Sequence, residues 1–204
     1  HINGMEQEGR NQVLIPGIKR GSFQAPIIPK TGNSKDLDGS ANAWEFRTRA
    51  SLKIQDGCNF MCSFCIIPFA RGRSRYRDFN NLMEEARLLN DEGVKEIVLT
   101  GVNIGTYLDQ GKNLLDIIDS LHRLEGPERI RISSIEPTTV PQGILERMND
   151  SQHKLVPFLH LPLQSGSDQI LQNMKRRYQS REFIQEIQQA VDQVEDCLLY
   201  TSPS

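Results

Sequence analysis

From residue 51 onward the apolar positions alternate between two periods. Short apolar runs, "SLKIQ" (51–55), "EIVLTGV" (96–102), "RIRISSI" (129–135) and "FLHLPLQ" (158–164), predict four strands. Between them the spacing changes to three and four. "DFNNLMEEARLLNDEG" sets Phe79, Leu82, Met83, Ala86 and Leu89 on one helical face, with Gly93 as its C-cap. "NLLDIIDSLHRL" turns Leu114, Leu115, Ile118 and Leu121 inward. "PQGILERMN" starts a helix at Pro141, because a first-turn N–H has no partner to lose. "SDQILQNMKRR" and "SREFIQEIQQAVDQV" predict two further helices, the second with Phe183, Ile184, Ile187, Val191 and Val194 toward the core.

The order is strand then helix, four times over. Such a repeat lays parallel strands side by side under a layer of helices. The fold class is therefore α/β, an open parallel sheet or a partial (β/α) barrel. About four βα units do not close an eight-stranded barrel. In either layout functional groups collect beyond the C-terminal ends of the strands. Those places hold the cysteine loop, "TGVN", "SSIEP" and "QSGS". Residues 1–45 are dense in Gly, Pro, Ser and Asn and read as a linker or irregular segment, with Trp44 and Phe46 anchoring it. The βα core is expected over 46–196. Residues 197–204, "CLLYTSPS", read as an atypical tail where a fifth strand is due, and the chain as a whole reads as a fragment.

Composition narrows the class further. A hydrophobic content of 37% supports a packed core, and a net charge of −2 gives no global pull toward nucleic acid or membrane, although local patches can still do so. No apolar run approaches the ~18 residues that a membrane span needs. Three of the four cysteines are clustered, which argues against a disulfide framework and for a reducing, cytoplasmic setting.

That cluster is Cys58-x-x-x-Cys62-x-x-Cys65, inside "GCNFMCSFCIIP". Structural zinc usually takes two ligand pairs, and no second pair exists here. Three thiolates without a fourth suit a [4Fe–4S] cube with one iron left open. Phe60, Met61, Phe64, Ile66 and Ile67 around them would keep water away and tune the cluster. A zinc-stabilised binding module, a non-catalytic iron–sulfur electron carrier and three plain core cysteines remain alternatives at this point.

The motif after a first strand and ahead of repeated βα units resembles the radical S-adenosylmethionine superfamily. "KIQDGCNFMCSFCIIPFARGRSRYR", "EIVLTGVNIG", "RIRISSIEP" and "LHLPLQSGSDQILQNMKRRY" resemble its methylthiotransferases. "RISSIEP" and "KRRY" are most similar to the branch that acts on N6-threonylcarbamoyladenosine beside the tRNA anticodon. The isopentenyladenosine branch and, further off, the ribosomal-protein methylthiotransferases are the alternatives within the family. The resemblance implies that Cys58, Cys62 and Cys65 hold the cluster and that S-adenosylmethionine chelates its open iron. Reduction then splits the cofactor into methionine and a 5′-deoxyadenosyl radical. It also implies a tRNA anticodon stem-loop as substrate, an electron donor such as flavodoxin or ferredoxin, and a second, auxiliary cluster on a separate N-terminal domain. No second cysteine triplet is present, so this chain alone is not expected to complete methylthiolation.

Within "LTGVN" the resemblance assigns Thr100, Gly101 and Asn103 to the methionine part of the cofactor. Glu136 and Gln164, after the third and fourth strands, are candidates for its ribose or methionine moiety. Ser165, Gly166 and Ser167 read as a turn and helix N-cap. "ARGRSRYR" sets Arg71, Arg73, Arg75 and Arg77 at alternate positions, on one side of an extended segment, where phosphates could be met. Lys175, Arg176 and Arg177 beside Tyr178 form a second basic patch for RNA. His160 reads as a hydrogen-bonded core histidine, and His122 and His153 as surface residues.

Overall fold

The computed structural model describes residues 21–27 and 48–201. Trp44 and Phe46 lie outside them. Strands β1 (Arg49–Lys53), β2 (Glu96–Thr100) and β3 (Arg129–Ile132) form a parallel sheet in chain order. Ala50, Ile97 and Ile130 share one register row and Leu52, Leu99 and Ile132 another, so two apolar rows face the same side. The chain then continues the curve. The Ile130 N–H donates to the Lys154 carbonyl at 2.7 Å, and the Ile135 N–H to the His160 carbonyl at 3.0 Å. This places β4 (Phe158–His160) beside β3, and β5 (Leu198–Tyr200) pairs with β4 in parallel. Five parallel strands in sequence order make an arc of a βα barrel.

The connecting helices are α1 (Phe79–Asp91), α2 (Leu114–His122), α3 (Ile144–Asn149), α4 (Asp168–Asn173) and α5 (Ser180–Gln193). Local sequence fixes where they start. Asp78 caps α1 by accepting the Asn81 N–H at 2.9 Å. Asn113 and Asp116 form a reciprocal capping box on α2. The buried stripe of α1 is Leu82, Met83, Ala86 and Leu89, as the periodicity predicts.

Several expectations are corrected in detail. β1 starts two residues earlier than 51 and stops at Lys53, because Gln55–Asp56 turns away to pair antiparallel with Arg75–Tyr76. Once Asn113 sets the start of α2, the core face is Leu114, Ile117, Ile118 and Leu121, and Leu115 is only partly covered. Helix α3 begins at Ile144, not Pro141, because Gly143 holds φ at +90° and blocks the helix from extending backward. On α5 the apolar residues span a wider arc than the contact. Phe183, Ala190 and Val194 are buried, whereas Ile184 is 63% exposed and Val191 is exposed too. Leu198–Tyr200, read as an atypical tail, is a regular strand. Within the segment read as linker, Phe23 bridges to the core: its N–H donates to Tyr76 O at 2.8 Å, and its carbonyl accepts the Asp78 N–H at 2.9 Å.

The face of the sheet opposite α1 and α2 is polar at its N-terminal edge. Glu96 meets Arg49 at 2.8 Å, Arg131 at 3.0 Å and Arg129 at 3.1 Å. Burial would lift its carboxyl, but Arg131 and Arg129 outweigh that and hold it below the usual carboxylate range. His122 and His153 are half-buried rather than surface residues. Their rings stack at 4.2 Å, and the His153 side chain is 8% exposed. His153 Nδ1 accepts the Leu155 N–H at 3.1 Å, and its Nε2 lies 3.6 Å from Asp119, itself paired with Arg147. Burial lowers the His153 pKa, His122 and Arg147 add to this, and Asp119 opposes it.

Two measurements test these packing assignments. Ile118→Ala, in the α2 stripe, should cost about 2–5 kcal/mol. Ile184→Ala should stay within about 0.5 kcal/mol, and urea midpoints distinguish the two. Because His153 binds its proton more weakly in the folded state than at the unfolded value of about 6.5, its contribution is complete above that pH and is lost as pH falls below it. Between about pH 7.5 and pH 5, the urea midpoint of the parent should therefore fall further than that of His153→Gln.

Candidate functional site

The cysteine loop leaves β1 through a backbone that only glycine fits. Gly57 holds φ at +67°, and a Cβ there would meet the Arg73 carbonyl oxygen at 2.3 Å. The loop is tied on three sides. The Cys58 N–H donates to Gly72 O at 3.1 Å, and Asn59 Oδ1 accepts the Ser74 N–H at 3.1 Å. Ser63 reaches the end of α4, its N–H donating to Met174 O and its hydroxyl to Asn173 O, both at 3.0 Å. The Cys65 N–H bonds to Cys62 O at 3.1 Å, and a short helix, Ile67–Ala70, follows.

The third tie is Gln55, fully buried at the turn after β1. Its Nε2 donates to Gly57 O at 2.7 Å, to Ser74 Oγ at 2.8 Å and to Asp56 O at 3.0 Å. Its Oε1 accepts the N–H groups of both Val102 and Asn103 at 2.8 Å. One amide thus locks the cysteine loop to the loop after β2. Gly101 permits the approach, since a Cβ there would sit 3.1 Å from the Gln55 carbonyl oxygen.

Cys58, Cys62 and Cys65 line one cleft, the first two buried and the third half-buried. Its other walls come from beyond three strands: Asn103, Glu136 and Gln164. Gln164 holds φ at +68°, a conformation uncommon for a residue with a side chain, at the bend that turns it into the cleft wall. Asn103 is buried and accepts the Thr139 hydroxyl at 3.1 Å. Thr100 is not part of the cleft wall; its carbonyl accepts the Ile54 N–H at 2.9 Å.

Arg176 completes the cleft from the chain following α4. Its side chain is only 6% exposed, where the sequence pattern grouped it with a surface basic patch. Its Nη1 lies 3.4 Å from Cys62 Sγ, its Nη2 donates to Glu136, and its guanidinium lies 5.1 Å from the Tyr178 ring centre. Burial lifts the Glu136 carboxyl, and Arg176 opposes this only in part. Two buried polar atoms, Glu136 Oε1 and Arg176 Nε, have no hydrogen-bond partner.

The remaining arginines divide. Arg77 is fully buried, bound to Glu85 and to Asn81 Oδ1 at 2.8 Å, and cannot meet a phosphate. Arg75 and Arg71 reach Asp56 at 3.1 and 3.4 Å. Burial alone would raise the Asp56 carboxyl; Lys53, the Gly57 N–H and Arg71 outweigh it and hold it low. Arg73 is exposed, and Arg177 is exposed and stacked on Phe60 at 3.9 Å. Sequence reasoning missed Gln55 and the place of Arg176. An amide between an apolar strand and a Gly-Cys pair was the available signal for the first. The second had none, since its neighbours Lys175 and Arg177 are equally basic and both exposed.

The donor chemistry fits an iron–sulfur cube better than a single ion. Three soft thiol donors share one cleft wall, and a carboxylate and two amides stand on the other walls. Among the described residues no three His, Cys, Asp or Glu side chains converge on one point, as a mononuclear centre requires. A cube does not need such convergence, because each thiolate takes a different iron. Burial raises the Cys58 thiol pKa, and bonds from the Phe60 N–H and Asn103 work against it.

Residues 52–201 match the family described as the Radical SAM superfamily. The threonylcarbamoyladenosine tRNA methylthiotransferase MtaB of Bacillus subtilis is 48% identical over 141 residues, 67% of this chain and 31% of that protein. The same-named protein of Chlamydia pneumoniae is 41% identical over 70% of this chain and 34% of its own. The tRNA-2-methylthio-N(6)-dimethylallyladenosine synthase of Anaplasma phagocytophilum is 36% identical over 88% of this chain and 41% of its own. The chain thus spans between about a third and two fifths of these relatives' length. Among solved structures, the radical S-adenosylmethionine methyltransferase TsrM from Kitasatospora setae aligns with a TM-score of 0.60 at 16% identity, over 75% of this chain and 30% of that one, which supports the fold.

The Gln55 lock is testable without any cofactor. Gln55→Ala leaves the Val102 and Asn103 N–H groups and the Gly57 carbonyl short of a partner, at about 1–3 kcal/mol for each group left buried and unpaired. Urea unfolding should register the loss, and amide hydrogen exchange at Val102 and Asn103 should accelerate more than in the α1 core.

Proposed function

The chain belongs to the radical SAM superfamily, and on that premise we propose that it is the core of a tRNA methylthiotransferase acting on N6-threonylcarbamoyladenosine beside the anticodon. The observation that carries this reading is the single cleft in which Cys58, Cys62 and Cys65 face residues from beyond three successive strands. Cys58, Cys62 and Cys65 are the residues that would hold a [4Fe–4S] cluster, and when bound it supplies the electron that splits the sulfonium of S-adenosylmethionine.

The chain's own side chains do the rest. Asn103, Glu136 and Gln164 offer polar atoms to the amino-acid and ribose ends of S-adenosylmethionine. Phe60, Phe64 and Ile135 line the same cleft, Ile135 fully buried and Phe64 53% exposed. Arg73 and Arg177 are exposed and are our candidates for phosphates of the anticodon stem-loop; Arg71 joins them, shared with Asp56. The electron comes from a small carrier of the flavodoxin or ferredoxin type, in the cytoplasm. Sulfur insertion calls on a second cluster, and after the triplet only Cys197 remains among these 204 residues, so its ligands lie elsewhere.

A second substrate reading is favoured by one observation: the dimethylallyladenosine synthase of Anaplasma phagocytophilum matches more of this chain than the two threonylcarbamoyladenosine enzymes do. The experiment that separates them is reductive cleavage of S-adenosylmethionine by the anaerobically reconstituted chain, read as 5′-deoxyadenosine. Anticodon stem-loop RNA bearing threonylcarbamoyladenosine should stimulate it more than RNA bearing isopentenyladenosine, and Cys62→Ala should abolish it. The reverse preference assigns the other branch, activity surviving in Cys62→Ala overturns the reading of Cys62 as a cluster ligand, and a parent that forms no 5′-deoxyadenosine overturns the enzyme reading.

A further inference from the structure

Arg176 carries a charge that holding the cysteine loop does not require. It is placed against Cys62 Sγ at 3.4 Å and is held there by two independent contacts. Glu136 takes the Nη2 end, and the Tyr178 ring lies under the guanidinium plane at 5.1 Å. Tyr178 is itself fixed, its hydroxyl donating to the carbonyls of Pro162 and Leu163 at 3.0 and 2.5 Å. The Arg176 and Glu136 side chains are 6% and 10% exposed, so solvent screens neither charge well. The result is an oriented ion pair in the cleft wall, its guanidinium bonded to the sulfur and its carboxylate bonded to the guanidinium.

We propose that this ion pair sets the reduction potential of the site, Arg176 raising it and Glu136 limiting the rise. The inference rests on the reading of Cys62 as a cluster ligand. The physical reason is direct. One-electron reduction by an external donor adds one negative charge to the site and breaks no bond. A fixed cation hydrogen-bonded to a ligand sulfur stabilises the more negative state more than the less negative one. A fixed anion does the reverse. Arg176 is a positioning residue here: it acts through Cys62 and takes no electron itself.

The test uses the 204-residue chain, reconstituted with iron and sulfide without oxygen. The iron and sulfide content of the parent decides the cluster reading first. A parent that retains neither overturns that reading and the inference with it. Midpoint potentials are then read by paramagnetic resonance during dithionite titration against mediators, with S-adenosylmethionine left out. Arg176→Gln should lower the potential, Arg176→Lys should keep most of the parent value, and Glu136→Gln should raise it. A purely structural role would admit water in both charge-removing variants and move them the same way. Shifts of the same sign, or none, in variants that hold the parent's iron and sulfide overturn the proposal. Should Arg176→Gln lose its iron, Glu136→Gln alone decides, and an unchanged or lowered potential sinks the idea.

Discussion

The Gln55 amide sits between two loops and bonds to both. Its carbonyl oxygen serves two backbone N–H groups past β2, and its amino group serves carbonyls and a hydroxyl around the cysteine loop. A buried amide with all these partners is rigid, and the same amide with any partner missing is costly. The relative position of Cys58 and Asn103 therefore depends on a side chain that reaches neither a ligand nor the cleft. Gly57 and Gly101 are the steric counterpart, since each leaves room for backbone that a methyl group would displace.

Around that lock the charges sort by depth. Arg77 is entirely inside and closes the space under α1 with Glu85 and Asn81. Asp56 gathers Lys53, Arg71 and Arg75 at the back of the cysteine loop. Arg176 turns inward to sulfur, whereas Arg177, its neighbour, lies outside over Phe60. Two basic segments of the sequence thus divide into three distinct environments: structural, loop-supporting and cleft-facing. Within the two basic segments, Arg73, Lys175 and Arg177 stay exposed, and Arg71 is exposed but shared with Asp56.

The alternation of strands and helices was legible because it follows from burial on one face, and that periodicity survives in any single sequence. The three thiols were legible because their spacing is dense and chemically unusual. What could not be read was the outcome of competition between similar residues. Ile117 and Leu115 compete for one face of α2, and the Asn113 cap decides the phase. On α5 Phe183 and Ala190 share the buried face and leave Ile184 outside it. His122 and His153 look solvated in sequence, and their stacking appears only when the end of α2 meets the loop before β4. Leu198–Tyr200 form a strand because the β4 edge is open to pair with them, which outweighs the turn-forming residues that follow.

The contact from Arg176 to Cys62 spans 114 residues, and the Ser63 contacts to the end of α4 span nearly as far. A chain emerging from the ribosome therefore exposes its thiols long before the residues that enclose them exist. Maturation has an order: the loop can be shaped early by Gln55 once β2 has emerged, but its last wall closes only after α4 is made. Metal delivered before that moment meets an open thiol hairpin, accessible to oxygen and to competing soft ions; metal delivered after it meets a half-enclosed chamber with a cation already at its wall.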